Sequence, residues 1–410
     1  MQINTGDTAW MLVSAALVLF MTPGLAMFYG GMVRSKNVLA TIMQSFFAMG
    51  LVSVLWALVG YTLAFGPDKA GLIGGLQYLG LNGVLRTTHS LAPTVPQSVF
   101  VAYQGMFAVI TPALITGAFA ERMKFKAWVL LLAGWLLIVY APLAHWVWGG
   151  GWIGKMGALD FAGGTVVHIS SAAAALACVL VIGRRRDHGT HELQPHNLTL
   201  TLLGTGILWF GWFGFNAGSA YAANGLAGSA FLATNLSAAA GMLSWTLFES
   251  WHRGKATTLG AASGAVAGLV GITPAAGYVT PLAAIAIGLI VGAACYGGIL
   301  LKERFGYDDA LDVVGVHGVG GTTGAILTGV FAWKAVNAAG NNGVLHGNPA
   351  LLVPQVVGVV ATIAFSFGVT FVLLKVIDAV VGLRVDDEAE TLGLDLSEHA
   401  ETGYILGRAS

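Results

Sequence analysis

Charge is what this sequence has least of. Only 9% of its 410 residues are Asp, Glu, Lys or Arg, against about 25% in an ordinary soluble domain. A water-facing surface cannot be built from so little charge, so lipid must be the solvent for most of the chain. The net formal charge is zero, which gives no global electrostatic reason to bind nucleic acid or an acidic partner. Cysteine is nearly missing. The two present, Cys178 and Cys295, sit in apolar runs with neither a metal-binding spacing nor enough partners for a disulfide framework, and are expected to be packing residues. No basic leader precedes the first apolar run; Met1 to Thr8 carry Asp7 instead, so the first helix is expected to stay in the membrane rather than be cleaved. A P-loop, a dinucleotide-binding glycine pattern and a nucleophile elbow are all lacking. The stretch His191-Glu192-Leu193-Gln194-Pro195-His196 is one residue too long for a zinc-binding helix and contains proline, so neither metal nor cofactor is expected.

Long apolar runs are abundant. A spanning helix needs about 20 predominantly apolar residues. Such runs occupy 9–33, 40–65, 98–120, 127–148, 162–183, 198–218, 229–250, 258–275, 281–301, 313–332 and 351–382, which predicts an all-α integral membrane protein with eleven transmembrane helices. Glycine, 58 residues in all, dilutes the run at 258–275 and elsewhere lets helix backbones approach closely in lipid. Alternate gaps between runs hold Arg34 and Lys36, Arg122 to Lys126, Arg184 to Arg186, Arg253 and Lys255, Lys302 and Arg304, then Arg384 and Arg408. The opposite gaps hold only Lys69, Arg86, Lys155 and Lys334. By the positive-inside rule the N-terminus is outside and the C-terminus inside. The spans form a transporter domain over 1–382, and 383–410 forms a cytoplasmic tail.

The chain also repeats itself. Ile110-Thr111-Pro112-Ala113 in the third run recurs as Ile272-Thr273-Pro274-Ala275 in the eighth. Asp160 precedes His168 by eight residues in the fifth run, as Asp309 precedes His317 in the tenth. A shift of five spans inverts one half against the other, predicting an inverted 5+5 repeat (halves 9–183 and 198–332) with an extra C-terminal helix over 351–382. In such repeats the substrate path lies at the interface near mid-membrane.

Polar groups at membrane depth mark function. A single buried histidine is ordinarily a satisfied core residue, but His168 and His317 occupy matching repeat positions, so the pseudo-twofold axis brings them together. Two neutral imidazoles can share a hydrogen bond and still present a donor or acceptor to a pore, suiting a small molecule that both donates and accepts protons. Asp160 and Asp309, about 12 Å from their histidines along a continuous helix, read either as helix caps or as direct electrostatic partners of a cation; Asp312 is a weaker case. Trp148, Phe107, Phe215 and Tyr103 read singly as packing or belt residues, and together as a vestibule drawing a small cation to ring faces.

Four stretches then carry a resemblance: Phe28-Tyr29-Gly30-Gly31 with Lys36-Asn37, Asp160 through His168, Trp212 through Ser219, and Asp312 through Gly318. Over essentially its whole length the chain resembles the ammonium transporter (Amt, or methylammonium permease) family of bacterial type. The resemblance implies transport of ammonium or ammonia, with methylammonium as a further candidate substrate, across the inner (cytoplasmic) membrane. It implies a homotrimer with a pore in each protomer, and no enzyme activity. It places Trp148, Phe107, Tyr103 and Ser219 in an outer recruitment site supported by Asp160, Phe107 and Phe215 as a stacked gate, His168 and His317 as a twin-histidine pore lining, and Thr273 near the gate. The tail, through Gly393-Leu394-Asp395, Glu398-His399, Glu401 and Tyr404, resembles the family's regulatory tail and implies a PII-type protein as a candidate partner, with Ala400 standing where a glycine is often found. Weighed against this are a Rhesus-type ammonia gas channel, disfavoured by Trp148 and Ser219, an ammonium sensor, and an intramembrane metallohydrolase, which has no third ligand at pore depth.

Overall fold

The computed structural model describes residues 2–190 and 193–404; the His191-Glu192 half of the rejected zinc motif and Arg408 lie outside them. Eleven apolar helical rods make up its frame: α1 (Thr5–Met32), α2 (Ser35–Phe65), α3 (Gln97–Ile115), α4 (Phe125–Lys155), α5 (Gly164–Ile182), α6 (Leu198–Ala220), α7 (Gly225–Arg253), α8 (Thr258–Ile272), α9 (Pro281–Phe305), α10 (Val314–Phe331) and α11 (Pro349–Val381). Ten of them are long and apolar enough to cross a membrane. The exception is α8, whose 15 residues reach about 22 Å, short of a hydrocarbon core of about 30 Å. It ends at Ile272 and the chain turns from Thr273, where the apolar run continued to 275. Two small hairpins on one face, β1 (Asp68–Lys69) with β2 (Ile73–Gly74) and β3 (Thr88–His89) with β4 (Ala92–Pro96), complete the body.

The halves α1–α5 and α6–α10 meet along α1 and α6, and again where α5 faces α10. Helices in lipid associate by close packing rather than by water exclusion. At Gly204 a Cβ would lie 2.3 Å from the Phe28 backbone nitrogen, so only glycine permits the α1–α6 approach. The extra helix α11 lies across α4, α5 and α10. Its Gln355 accepts from the Leu159 N–H at 2.6 Å and donates to the carbonyls of Leu159 and Ala325, satisfying backbone groups that lipid cannot.

One face gathers the basic loops into a network. Glu121, buried and at φ 71°, accepts from the Arg34 backbone N–H at 2.7 Å and pairs with the Arg34 guanidinium at 2.9 Å and Arg185 at 3.4 Å. Arg185 also grips Asp308 at 2.8 Å, while the fully buried Arg122 donates to the carbonyls of Gly183, Ala120 and Asp308. The loops after α1, α3, α5 and α9 are thus tied to one another.

The tail lies folded on this same face as α12 (Asp387–Leu392) and α13 (Leu394–His399). Glu390 pairs with Arg384 at 2.6 Å and accepts from the Arg186 N–H at 2.7 Å; Glu398 accepts from the Phe125 N–H at 2.8 Å. Asp395 accepts from the Ala40 N–H at 2.8 Å, and Asn37 accepts from the Leu394 N–H at 2.8 Å. Ala400 closes α13 at φ 55°, a left-handed geometry that favours glycine by about 1 kcal/mol, which accounts for a glycine preference at this position.

Two outcomes are expected. Ala400→Gly should stabilise the docked tail by about 1 kcal/mol, read as slower proteolysis at the tail. Burial alone would raise the Glu121 carboxyl, but Arg185 and Arg34 outweigh it and hold it below the usual range. Its stabilisation is therefore present above the unfolded value of about 4 and lost as pH falls through the lower folded value. Glu121→Gln should cost about 3 kcal/mol at neutral pH and flatten the acid limb of a detergent thermal-stability profile.

Candidate functional site

His168 and His317 each sit in a π-helical first turn: Gly164–Ile169 opens α5, and Val314–Gly318 opens α10. A π turn inserts one residue into the helical register and turns its side chains away from where an α-helix would aim them. Both openings are held by aspartate. The Asp160 carboxylate accepts from the backbone N–H groups of Gly163, Gly164, Thr165 and Val166 at 2.8, 2.6, 2.8 and 3.3 Å, and from the Thr165 hydroxyl. Gly163 enters the turn at φ 116°, and at Gly164 a Cβ would meet Pro274 at 2.6 Å, so the glycines are required by the turn and its packing. Of the two sequence readings of Asp160, the geometry is that of a cap, with both oxygens occupied.

Asp309 repeats the arrangement more sparsely. One oxygen accepts from the Val314 N–H at 2.7 Å; the other is buried and has no hydrogen-bond partner among the described residues. Burial pushes this carboxyl up to about 6, with Asp312 adding to the rise and Lys302 opposing it. Asp312, at φ 60°, pairs with Lys302. Asp309 therefore lies at the basic face, away from the aromatic residues grouped with Asp160.

Between these openings the rings meet. His168 Nδ1 lies 3.1 Å from His317 Nδ1, with the ring planes 21° apart. One Nδ1 must donate and the other accept, which leaves the Nε2 positions for other work; that of His168 is buried without a partner among the described residues. Phe215 stacks on Phe107 at 4.2 Å and faces His168 at 6.1 Å. Phe107 in turn meets the edge of Trp148 at 6.0 Å and of Tyr103 at 5.0 Å. Trp148 is half-buried, and its indole N–H donates to the Asp160 carbonyl at 2.9 Å. The Ser219 hydroxyl donates to the Phe215 carbonyl at 3.0 Å and lies 3.1 Å from the Tyr103 hydroxyl, which donates to the Phe215 carbonyl at 2.8 Å. The sequence-predicted residues thus form one column: Trp148, Tyr103 and Ser219, then Phe107 and Phe215, then the two histidines.

Below Phe215 the column opens into a chamber of about 10 Å³, lined by Val167, Leu208, Ile110, Leu114, Val266, Trp212, both histidines and the α1 side chains Met21, Leu25 and Phe28. That is the room of a single water-sized molecule. Apart from the imidazoles and the indole, its walls are apolar.

Sequence reasoning missed two parts of this chamber. Trp212 stacks over His168 at 5.5 Å and 22°, and its N–H donates to the Thr273 hydroxyl at 2.9 Å. Thr273 therefore holds Trp212, whose ring lies 5.5 Å from that of Phe215. The spacing of Trp212 and Phe215, three residues apart on α6, puts them on one helix face and was the available signal. Met21, Leu25 and Phe28 follow the same helical spacing on α1. Both cysteines are free and buried, and among the described residues no group of three His, Cys, Asp or Glu could hold a metal ion.

Comparison with known proteins follows the same outline. The model of the Ammonium Transporter Family matches residues 9–404. The chain is 54% identical over 403 residues to the ammonium transporter of Bacillus subtilis, covering 98% of this chain and 99% of that one. It is 51% identical over 410 residues to a putative ammonium transporter of Methanothermobacter thermautotrophicus, covering 99% and 100%. The crystal structure of Saccharomyces cerevisiae Mep2 superposes with a TM-score of 0.89 at 37% identity, covering 95% of this chain and 89% of that one.

The cap geometry generates a test. Asp160→Ala leaves four backbone N–H groups and a hydroxyl without their acceptor, and should cost about 3 kcal/mol or more in detergent thermal unfolding, with Asp160→Asn intermediate. An Asp160→Ala protein as stable as the parent would remove the cap from the account of α5.

Proposed function

Because this chain belongs to the Ammonium Transporter Family, we propose that it moves ammonium through the column running from Trp148 to the His168–His317 pair. It is a multi-pass membrane protein, its relatives are transporters rather than enzymes, and ammonium is the substrate class. In the reading offered here, Trp148, Tyr103, Phe107 and Ser219 recruit the cation at the outer mouth, Phe107 and Phe215 gate it, and the paired histidines line the path beyond.

The observation that carries this reading is the histidine contact at 3.1 Å beside an apolar chamber of about 10 Å³. Taking a small cation wholly out of water costs on the order of 20 kcal/mol in the Born limit and several after relaxation. A desolvated cation–π contact returns about 2 kcal/mol. A few rings can therefore collect ammonium at the mouth but cannot hold it bare in the chamber. Loss of the proton, or direct hydrogen bonding to an imidazole nitrogen, resolves the difference, and the unpartnered His168 Nε2 is an atom suited to either.

Around this core we read eleven membrane crossings with α8 as the short one, the basic face as cytoplasmic, residence in the cytoplasmic membrane, and a homotrimer with a pore in each protomer. Anionic headgroups would sit against the basic loops, and the docked tail would offer a surface to a PII-type protein.

Proteoliposomes given an ammonium pulse, with potassium as matched control, test the function. An ammonium-specific response is expected: sustained inward current if charge crosses, internal alkalinisation without current if ammonia crosses alone. No response from folded protein would transfer the reading to an ammonium sensor. His168→Ala should change conduction or ammonium-over-potassium selectivity while the assembly persists; loss of the folded assembly would count against a pore-lining position.

A further inference from the structure

On the face opposite the basic loops, His145 of α4 is fully buried with both ring nitrogens engaged. Nδ1 lies 2.9 Å from the Ala64 carbonyl oxygen and Nε2 lies 2.9 Å from a carboxylate oxygen of Asp68. A carbonyl only accepts, so Nδ1 must donate. Asp68 is equally committed: it also accepts from the Gly71 N–H at 2.8 Å and pairs with Lys155 at 2.5 Å. The His145 hydrogen bond, then that of Lys155, hold its carboxyl down at about 2, so it too only accepts. His145 is therefore held at both ring nitrogens, by the Ala64 carbonyl and by Asp68, with Lys155 on the far side of the same carboxylate.

The turn Trp148–Gly151 within α4 is pressed onto this ring. The N–H groups of Trp148 and Gly149 both donate to the Ala144 carbonyl, at 2.8 and 3.0 Å, and that of Gly151 donates to the His145 carbonyl at 2.8 Å. A Cβ at Gly149 would lie 2.0 Å from the Ala64 oxygen and 2.7 Å from His145 Nδ1, so the loop rests on that hydrogen bond itself. The β1–β2 hairpin that supplies Asp68 is joined to the same segment, through the Trp146 indole N–H to the Leu72 carbonyl at 2.8 Å and the Trp152 N–H to the Gly71 carbonyl at 3.1 Å. Trp148 is thus fixed twice: its indole by the Asp160 carbonyl, its backbone by the His145 seat.

We propose that the buried His145 ring, clamped between the Ala64 carbonyl and the Asp68 carboxylate, is a positioning residue that sets the pose of Trp148 for cation recruitment. This rests on the reading of Trp148 as a recruitment residue. Without this clamp, the hairpin and the Trp148–Gly151 turn lose their common anchor, and the indole no longer meets Phe107 at its present distance and angle. Recruitment weakens, while passage beyond Phe215 is untouched.

The test is Asp68→Asn, which keeps shape and removes charge, measured in proteoliposomes as ammonium-driven current against concentration, alone and with Trp148→Leu. The half-saturating concentration should rise about tenfold with maximal current within about twofold. Asp68→Glu should restore most of the loss, and Asp68→Asn should add nothing once Trp148 is already leucine. An unchanged half-saturation in folded Asp68→Asn, where Trp148→Leu shifts it, overturns the positioning role and leaves the recruitment reading standing. Penalties that multiply in the double variant also overturn it. A Trp148→Leu protein with unaltered half-saturation overturns the recruitment reading itself. Should Asp68→Asn fail to fold, 15N spectra of the histidine-labelled parent decide: hydrogen bonding at both His145 nitrogens is required, and a nitrogen without one refutes the clamp.

Discussion

The Asp160 carboxylate is the interaction on which the column depends. The head of a helix leaves four N–H groups unpaired, and in hydrocarbon no water is present to take them. Asp160 supplies acceptors to four N–H groups at the α5 opening, which fixes where the helix begins and lets its first turn be a π turn. The register of that turn decides where His168 points. The same residue's carbonyl takes the Trp148 indole N–H, so the outer aromatic and the central imidazole are referenced to one residue. Moving Asp160 by a residue would displace both ends of the column together.

The second half of the fold reuses the device with a different supply of hydrogen bonds. Asp309 caps its π turn through one oxygen and leaves the other bare, where Asp160 uses both. Equivalent sequence patterns therefore give a saturated cap toward the aromatic mouth and an unsaturated one at the basic face. The matching Asp–His spacing thus supplies two similar helix heads, and their different hydrogen bonding distinguishes the surroundings of the two histidines.

Much of this was legible in the chain. The scarcity of charge implied lipid, and the eight-residue offset from Asp160 to His168, repeated from Asp309 to His317, located the two helix heads and the residues that meet between them. Other features left no pattern to read. A π turn is a shift in hydrogen-bond register and has no composition of its own, and neither aspartate lies on the helix that it caps. The shortness of α8 comes from a turn at Thr273, inside a run that is apolar on both sides of it. Trp212 was visible as a residue but not as a wall, because its role depends on Thr273, on another helix, taking its N–H. The acceptance of a left-handed turn by Ala400 likewise shows only in the backbone.

The docking of the tail bears on the order in which the molecule can be completed. The α-helical part of α2 begins at Val38, and the Asn37 side chain before it does not cap it; that oxygen instead receives the Leu394 N–H. The acceptor at this helix start comes from Asp395, 355 residues later than the Ala40 N–H it receives. At a synthesis rate of about 10 residues per second, the second rod waits roughly half a minute for the group that finishes its end. A nascent chain halted after α11 but before the tail would hold all its membrane rods yet keep an unsealed helix start at the basic face, a chemical mark distinguishing an unfinished copy from a complete one.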